Sequence, residues 1–283
     1  MRVLVAGDTI LDVYSHGTVE RISPEAPVPV FDHSHDNLAL GGACNVASNI
    51  RSLFRDRRLE IDFFGFYSID IAHMLSEFHI NCIGVPAEVL KKKRIVANNH
   101  QLLRIDNFKN YKDDNLSAVL RHKWEQIKFE NYDIVVLSDY DKYTLTEKEF
   151  NYLADSLVDT PLLVDLKRVR SNMNHFNSKT ILKCNQKEYD SNPHIKFLSK
   201  NLVVTQGERG YCFPNTKESF PGVKRKGEVI DVVGAGDVFL AGMAVNFLEA
   251  KAFDPYAMCA FGNLCAGEKV KHFGTVALKR ELI

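Results

Sequence analysis

The chain has 283 residues, of which 45% are hydrophobic, and 36 Lys and Arg are balanced by 36 Asp and Glu. This composition suffices for one large domain and excludes the low hydrophobicity and high net charge that are typical of disordered chains. A formal net charge of zero excludes nucleic-acid binding through a global positive field, so we expect no nucleic-acid partner.

Short apolar runs alternate with longer amphipathic segments along the chain. The runs predict strands buried on both faces of a parallel sheet, at Val3–Ala6, Ile61–Phe66, Ile134–Ser138, Leu162–Asp165, Thr180–Cys184 and Leu202–Thr205. The amphipathic segments predict helices near residues 43–54, 70–79, 113–128, 144–158, 235–250 and 255–270. Thr144 and Glu147 have the spacing of a capping box, which indicates a helix start. The alternation predicts an α/β fold with a mostly parallel sheet.

Two segments interrupt this alternation. Residues 12–37 contain Pro24, Pro27 and Pro29 among alternating apolar positions, and residues 89–107 also have an extended pattern. We interpret both as antiparallel strands of a small projecting sheet that covers a site, with ordinary surface hairpins as the alternative. Because no repeat or flexible linker divides the chain, we expect a single domain over residues 1–283 with these two lid segments inside it.

The sequence also indicates where the protein works. It has no stretch near the roughly 20 apolar residues of a transmembrane helix, and the N-terminus becomes acidic too early for a signal peptide. The six cysteines are scattered without a C-x-x-C pair, which argues against disulfides or a zinc site. We expect a cytoplasmic protein with no membrane partner. The basic run Lys91–Arg94 is interpreted as a solvated face.

The sharpest chemical signal is the segment Asp231–Asp237, with the sequence DVVGAGD, followed by an apolar helical run. Gly234, Ala235 and Gly236 at a helix start let backbone N–H groups approach an anion, and the helix N-terminus adds partial positive charge. Asp237 would lie beside that anion, where a carboxylate can accept a proton from an attacking hydroxyl. The alternative is a glycine-rich turn with Asp237 as an ordinary helix-start residue.

Weaker signals follow other predicted strands. Gly41 and Gly42 open a helix in which Asn45 can donate and accept hydrogen bonds, although tight helix–sheet packing explains the glycines equally well. Asn185 and Glu188 follow an apolar strand and could order water around Mg²⁺, although a helix cap explains them too. Polar and glycine residues also follow the first strand and the Leu202–Thr205 strand, at the edge where open α/β sheets bind ligands.

The paired glycines and the Asp231–Asp237 segment together resemble the ribokinase-like (PfkB) family of carbohydrate kinases, over nearly the whole chain. Within that family, several segments look like those of the D-glycero-β-D-manno-heptose 7-phosphate kinases, which form the kinase domain of a bifunctional heptose kinase/adenylyltransferase. These segments are Gly7–Asp12, Arg21–Val30, Gln101–Asp106, Leu137–Tyr140 and Asp165–Lys167. The glycine motifs identify only the wider family, whereas the Ile22–Val30 stretch is specific to the heptose kinases.

The resemblance implies a doubly wound α/β sheet with a small β lid. It also implies transfer of the ATP γ-phosphate to a sugar hydroxyl, which in the heptose kinases is the anomeric one and gives a 1,7-bisphosphate. ATP and Mg²⁺ are the implied cofactors, a monovalent cation is allowed, and a homodimer through the lid sheets is expected. At 283 residues the likeness uses almost the whole chain, so we expect no fused nucleotidyltransferase domain.

The resemblance also implies roles for individual residues. By motif position Asp237 would be the base, and the amides of Gly234, Ala235 and Gly236 would form the anion hole. Sugar hydroxyls would be held by Asp12, Gly41, Gly42 and Asn45. The distal part of the sugar and its phosphate would meet Arg104, Asp106 and Lys167. The magnesium position would be Asn185 and Glu188, acting through water. The nucleotide would lie along Asn185, Thr205, Gly207, Gly210 and Asn263, with Asn263 near the adenine.

Four positions depart from the pattern of the family. Val233 stands where Thr is usual, Leu166 where Pro is usual, and Tyr143 and Ser68 each stand where Gly is usual. None removes the base or the anion cradle. The alternatives are a kinase for another sugar or nucleoside, and a catalytically silent protein that binds sugar or nucleotide on the same fold.

Overall fold

The computed structural model describes residues 1–56, 58–98, 100–107, 115–170, 172–192, 194–223 and 229–283. Its strands are β1 (Arg2–Gly7), β2 (Thr9–Ile22), β3 (Pro29–Gly42), β4 (Glu60–Phe64), β5 (Phe66–Tyr67), β6 (Ile80–Cys82), β7 (Val85–Pro86), β8 (Leu90–Ala97), β9 (His100–Asn107), β10 (Ile134–Ser138), β11 (Leu162–Asp165), β12 (Thr180–Asn185), β13 (Asn201–Thr205), β14 (Tyr211–Phe213) and β15 (Glu218–Phe220). Its α-helices are α1 (Ala43–Leu53), α2 (Ile69–Glu77), α3 (Asn115–Glu125), α4 (Glu147–Ser156), α5 (Gln186–Ser191), α6 (Ala235–Ala250) and α7 (Pro255–Lys269).

The main sheet has the strand order β15-β14-β13-β12-β11-β10-β1-β4-β6. The strands from β13 to β6 run parallel, and β14 and β15 add an antiparallel hairpin at one edge. The chain order reverses direction between β1 and β10. In open α/β sheets, such a switch point opens a crevice at the carboxyl ends of the strands, where ligands bind.

Helices cover both faces of this sheet. All residues of β10 and all but the first of β1 are buried, and successive strand residues point to opposite faces. Helix α6 packs against both α1 and α7, while α3 and α4 contact each other around the buried Trp124. This is the doubly wound α/β architecture that the sequence predicts. No helix in the described ranges is both long and apolar enough to cross a membrane.

The two lid segments form one four-stranded sheet in the order β3-β2-β8-β9. Hairpins β2–β3 and β8–β9 are antiparallel as predicted, but the central pair β2–β8 is parallel, so the lid is not wholly antiparallel. The first half of β2 is buried and its second half is exposed, because only the first half is covered by the rest of the protein. The register pairs Thr9 with Gly42, which brings the glycine pair next to the end of β1.

Several predictions need correction in detail. The capping box is formed by Thr146 and Glu149, not by Thr144 and Glu147, so the helix begins two residues later. The start of the predicted helix 113–128 lies outside the described residues, which place α3 at Asn115–Glu125. Strands β6, β14 and β15 and helix α5 were not predicted. They are only three to six residues long, too short for a hydrophobic period to show. All six cysteines are free, as predicted.

Candidate active site

The carboxyl ends of β1, β10, β11 and β12 are neighbours in the sheet, and the glycine-rich start of α6 lies against them. Gly234 has φ 77°, a left-handed conformation that favours glycine, and a Cβ there would be 2.9 Å from the Asn45 side-chain nitrogen. A Cβ on Gly236 would be 3.3 Å from the Lys183 ammonium. The helix start is therefore enclosed by polar side chains from α1 and β12.

Asp237 lies in the first turn of α6 and is only 2% exposed. Asn45 Nδ2 donates to its Oδ2 at 2.8 Å, and the Tyr140 hydroxyl donates to its Oδ1 at 2.8 Å. The Asn45 amide is oriented by Asn49, whose Nδ2 donates to Asn45 Oδ1 at 2.8 Å. Burial raises the pKa of Asp237 to about 6, although both hydrogen bonds oppose the rise. Such a carboxylate is ionised at neutral pH and is still basic enough to take a proton.

A buried ion pair stands beside this carboxylate. Lys183 in β12 is 3% exposed, and its Nζ is 2.5 Å from Oδ2 of Asp165 at the end of β11. Burial works against the ammonium charge, but the Asp165 carboxylate outweighs it and raises the pKa of Lys183. The pair thus keeps a positive charge next to Gly236. Sequence reasoning missed Lys183 because it lies inside an apolar strand, where a single lysine carries no motif.

The loop after β10 brings Tyr140 to the site. Asp8, which follows β1 and is 1% exposed, accepts backbone N–H groups of Tyr140, Lys142 and Thr144 at 2.7, 3.0 and 3.2 Å. Burial raises the Tyr140 pKa well above its ordinary value, so the hydroxyl stays protonated and donates to Asp237. In the sequence, Tyr140 is only part of the segment Leu137–Tyr140 that resembles the heptose kinases, and no local pattern predicts a role for it.

A second buried ion pair supports the same loop. Arg170 donates to both carboxylate oxygens of Asp139, at 2.7 and 3.2 Å. Burial raises the Asp139 pKa to about 7 against the Arg170 charge, and neighbouring Asp8 adds to the rise. Within this loop Tyr143 has φ 67°, so the chain keeps the left-handed backbone at a position where its relatives are expected to have glycine.

The residues predicted to hold sugar hydroxyls converge near this loop. Asp12 in β2 is 3% exposed, and a Cβ on Gly41 would be 2.5 Å from its Oδ2. Gly42 precedes α1 and lies against the Asp8 carbonyl. Asp12 forms an ion pair with Arg94, whose Nη1 lies 2.5 Å from Asp12 Oδ1. The structure therefore brings Asp12 next to Gly41, and Asn45 in the following helix into contact with Asp237.

The basic run Lys91–Arg94 is not a solvated face throughout, and that interpretation was wrong for Arg94, which is 7% exposed. Lys92 and Arg94 share one face of β8, because residues two apart in a strand point the same way. The Lys92 ammonium lies 5.4 Å from the Tyr140 ring centre. Burial lowers the Lys92 pKa, and the charges of Asp12 and Asp106 oppose this. Because β8 carries four consecutive basic residues, its sequence does not show which of them face the body of the protein, and neither residue could be singled out from β8 alone.

Arg104 and Asp106 lie on the outer lid strand β9 and are exposed. Arg104 Nε is 2.9 Å from Asp106 Oδ1, and Asp106 pairs with Lys92 in the strand register. The described contacts of Lys167 lie elsewhere. Its ammonium is 2.6 Å from Glu188 Oε1, and its backbone N–H donates to Asp139. The predicted distal-phosphate set is therefore divided between the lid strand β9 and the residues around Asp139 and Glu188.

Asn185 and Glu188 form the cap of α5. Glu188 N donates to Asn185 Oδ1 at 3.0 Å, and Asn185 N donates to Glu188 Oε2 at 2.8 Å. The Lys167 ammonium donates to Glu188 Oε1, and its positive charge offsets part of the negative charge of the carboxylate. A carboxylate and an amide oxygen are suitable ligands for Mg²⁺, which keeps several waters and binds phosphate oxygens. The described residues contain no cluster of three ligands that would hold a metal without the nucleotide.

Of the residues predicted to bind the nucleotide, Thr205, Gly207 and Gly210 lie at or after the end of β13, and Asn263 lies in α7. Thr205 ends β13, and open space surrounds the position that a Cβ on Gly207 would take. Gly210 instead packs against the backbone of Phe220, which gives it a role in the β14–β15 hairpin. Asn263 in α7 donates to the Pro221 carbonyl at 2.9 Å. Val229, Ile230 and Val232, which precede the glycine-rich helix start, are exposed and apolar.

A doubly wound sheet with a β lid, and a buried carboxylate at a glycine-rich helix start, define a kinase of the ribokinase-like class. Residues 2–281 match the model of the pfkB family of carbohydrate kinases. The chain belongs to this family.

Curated relatives include the bifunctional protein HldE of Nitratiruptor sp., which is 32% identical over 310 residues. The alignment covers 100% of this chain and 64% of that relative. Bifunctional protein HldE of Haemophilus influenzae is also 32% identical, with 97% of this chain and 61% of the relative covered. The chain thus spans somewhat under two thirds of the length of these relatives.

Solved structures show the same fold. Ribokinase from Thermotoga maritima has a TM-score of 0.69 at 18% identity, covering 99% of this chain and 97% of that one. Ribokinase from Arabidopsis thaliana, solved with ribose and ATP, has a TM-score of 0.70 at 16% identity, with 99% and 96% covered. At these identities the comparison concerns the fold alone.

Proposed function

We propose that the protein is an ATP-dependent sugar-phosphate kinase that phosphorylates the anomeric hydroxyl of D-glycero-D-manno-heptose 7-phosphate to give the 1,7-bisphosphate. The observation that carries the chemistry is the buried Asp237, held by Asn45 and Tyr140 at the glycine-rich start of α6. The heptose assignment is supported by the Ile22–Val30 segment and by the relatives named bifunctional protein HldE.

In the proposed reaction the Asp237 carboxylate accepts the proton of the sugar hydroxyl as the hydroxyl oxygen attacks the γ-phosphorus of ATP. The new O–P bond forms while the bond from the γ-phosphorus to the bridging oxygen breaks, and ADP leaves with that electron pair. The proton remains on Asp237 until product departs. A carboxyl group whose pKa is raised to about 6 can both take and release this proton near neutral pH.

Charge that builds on the transferring phosphoryl group would meet the amides of Gly234, Ala235 and Gly236 and the Lys183 ammonium. Asp165 holds that ammonium in place before the nucleotide arrives, so no reorganisation is needed at the moment of transfer. Mg²⁺ bound to the nucleotide, held through water by Glu188 and Asn185, would neutralise phosphate charge. Thr205, Gly207 and Asn263 would lie along the nucleotide, with Gly210 shaping the hairpin.

The lid would bind the other end of the sugar. Asp12, Gly41, Gly42 and Asn45 would hold the sugar hydroxyls, which is supported by the contact of Asn45 with Asp237 and by the close approach of Gly41 to Asp12. Lys92 and Arg104 on the lid would bind the distal phosphate, with Asp106 keeping Arg104 in position. Lys167 would instead act through Glu188. This arrangement explains how a chain without net charge would bind two anions.

A homodimer through the lid sheets forms part of the proposal. Leu102, Leu103 and Ile105 on β9 are 48%, 56% and 47% exposed, and Ile22 is 63% exposed. A second lid packed on this surface would bury them, and light scattering on the purified protein measures the mass. A cytoplasmic location is expected for a kinase that draws on ATP, and it stays a prediction.

The test is a panel of phosphorylated and unphosphorylated sugars and nucleosides with Mg-ATP, followed by location of the new phosphate by NMR. Heptose 7-phosphate is expected to give the highest kcat/KM, with phosphate on carbon 1. A strong preference for an unphosphorylated hexose, ribose or nucleoside would contradict the heptose assignment and leave the kinase chemistry intact. Tight sugar-phosphate binding without ADP release would contradict the kinase itself.

A further inference from the structure

Helix α7 ends in a lysine that is fully enclosed. Lys269 is 0% exposed, which is rare for lysine, and it ranks among the largest buried side chains of the protein. Its Nζ donates to the Asp231 carbonyl at 2.9 Å and to the His272 carbonyl at 3.1 Å. Burial lowers the Lys269 pKa, while the negative charges of Asp231 and Asp237 oppose this. The ammonium is thus bound by main-chain oxygens in the interior.

The two carbonyls belong to segments that meet beside the anion hole. Asp231 N–H donates to the Val270 carbonyl at 3.1 Å, and Gly274 N–H donates to Asp231 Oδ2 at 2.8 Å. Asp231 Oδ1 accepts a hydrogen bond at 2.9 Å from the N–H of Val233, which is the residue before Gly234. The ammonium therefore fixes the turn that positions the amides of the glycine-rich helix start, together with the segment that follows α7.

Main-chain carbonyls that converge on a buried positive charge are the ligands of a monovalent metal cation such as K⁺. The family resemblance allows such a cation, yet the described residues already place an ammonium among the carbonyls beside this turn. A second cation at this position would be repelled at close range and would compete for the same oxygens.

We propose that Lys269 is a built-in cation: its ammonium does the positioning that a bound monovalent metal ion would do, and the enzyme needs no such ion. Lys269 is a positioning residue, because it acts through the Asp231–Gly234 turn and touches no reacting atom. The inference rests on the kinase activity proposed above for this member of the pfkB family, and not on the heptose assignment.

The first measurement needs no substrate. Protein dialysed into tetramethylammonium chloride is unfolded thermally, with and without about 0.1 M KCl or NH₄Cl. The unchanged protein should melt within about 1 °C in all three salts, whereas Lys269→Ala, which opens a cavity lined by the two carbonyls, should gain about 3 °C or more with K⁺ or NH₄⁺. Lys269→Met fills the same space without charge and should show no gain.

The matched control is Lys271→Ala, which removes a charge two residues away whose ammonium meets the Glu268 carboxylate and not these carbonyls. It should respond to salt like the unchanged protein. Crystals of Lys269→Ala soaked in Tl⁺ should show an anomalous peak between the Asp231 and His272 carbonyls.

Turnover gives the second readout, with whichever sugar the panel identifies. The unchanged enzyme should vary by less than about twofold among the salts, while Lys269→Ala should lose about 10²-fold in kcat and recover about tenfold with K⁺ or NH₄⁺. Saturable activation of the unchanged enzyme by K⁺ of more than about tenfold would overturn the proposal, whether or not the variants fold. So would a folded Lys269→Ala with no cation-specific change in melting or rate. Failure of heptose phosphate as substrate would leave the melting result standing.

Discussion

The two ends of the candidate site are built differently. At the reacting end, Asp237 is 2% exposed and takes its hydrogen bonds from α1 and from the loop after β10. At the lid end, every residue of β9 is exposed, and Arg104 finds its partner only two residues away, in Asp106. An exposed pair of this kind contributes little to stability. The reacting end is therefore held by buried contacts before any ligand binds, whereas we expect the substrate to add contacts at the lid end.

This difference separates the expected effects of substitutions. Changes at the reacting end should lower kcat, because those contacts stabilise the transition state. Changes at the lid end should raise KM, because those contacts hold the substrate equally before and during transfer. A variant at either end that changes both kcat and KM would argue against this division between the reacting end and the lid end.

The largest effect is expected for Asp237→Asn, which should lower kcat by about 10²–10⁴ because the general base is lost. The asparagine carbonyl can still accept from Asn45, and its amide can donate to the Tyr140 oxygen, so the fold should be kept. Steady-state kinetics and thermal melting at pH 7.5 measure both. The exposed control Asp159→Asn should leave kcat unchanged. Near-full activity of Asp237→Asn would show that Asp237 is not the general base.

Lys183→Met should come next, with a fall in kcat of about 10² through loss of positive charge beside the anion hole. It also leaves Asp165 buried without its partner, which destabilises by about 3–5 kcal/mol. The double variant Lys183→Met/Asp165→Asn separates the two effects. The double variant should recover most of the free energy of unfolding in a denaturant titration and none of the activity. Recovery of both would show that the ion pair stabilises the fold and does not take part in catalysis.

Tyr140→Phe should have a smaller effect, with kcat down by about tenfold. The Tyr140 hydrogen bond holds the Asp237 pKa down, so its removal should raise that pKa further. The acidic limb of the pH profile of kcat should therefore move to higher pH. A shift to lower pH would mean that the hydroxyl does not donate to the carboxylate.

The smallest effect on kcat is expected at the lid. Arg104→Gln should raise KM for a phosphorylated sugar by about tenfold and change kcat by less than about twofold. KM for an unphosphorylated analogue should stay the same, because the guanidinium is proposed to bind the distal phosphate. The exposed control Arg58→Gln should alter neither constant. A fall in kcat equal to that of Tyr140→Phe would mean that the lid end is also preorganised.

The parallel strands and the longer helices could be predicted because each presents several apolar residues at its own period. The edge hairpin of β14 and β15 could not, since three-residue strands show no period. The capping box was predicted two residues too early, because Thr144 and Thr146 are each followed by a glutamate three residues later. The local pattern cannot distinguish them, and the packing of Glu149 against Arg121 and Thr146 does.

The base was predictable because Asp237 lies inside a contiguous motif, and Asn45 because it follows paired glycines. Tyr140, Lys183 and Lys92 were not, since each becomes functional only through a neighbour that is distant in the chain. Tyr140 meets Asp237 across 97 residues, and Lys183 meets Asp165 across 18. Lys269 is the extreme case, because its partners are main-chain carbonyls that carry no sequence signal.

Asp237, a buried carboxylate whose pKa is raised to about 6, is the proposed general base. The most direct measurement is the pH dependence of kcat from about pH 4.5 to 8.5 at saturating substrates, with the folded state checked by circular dichroism at each pH. Because only the ionised carboxylate accepts a proton, kcat should be constant above neutrality and fall tenfold per pH unit below an apparent pKa near 6. A kcat that stays constant to about pH 4.5, or an acidic limb unchanged in Asp237→Asn, would contradict the account.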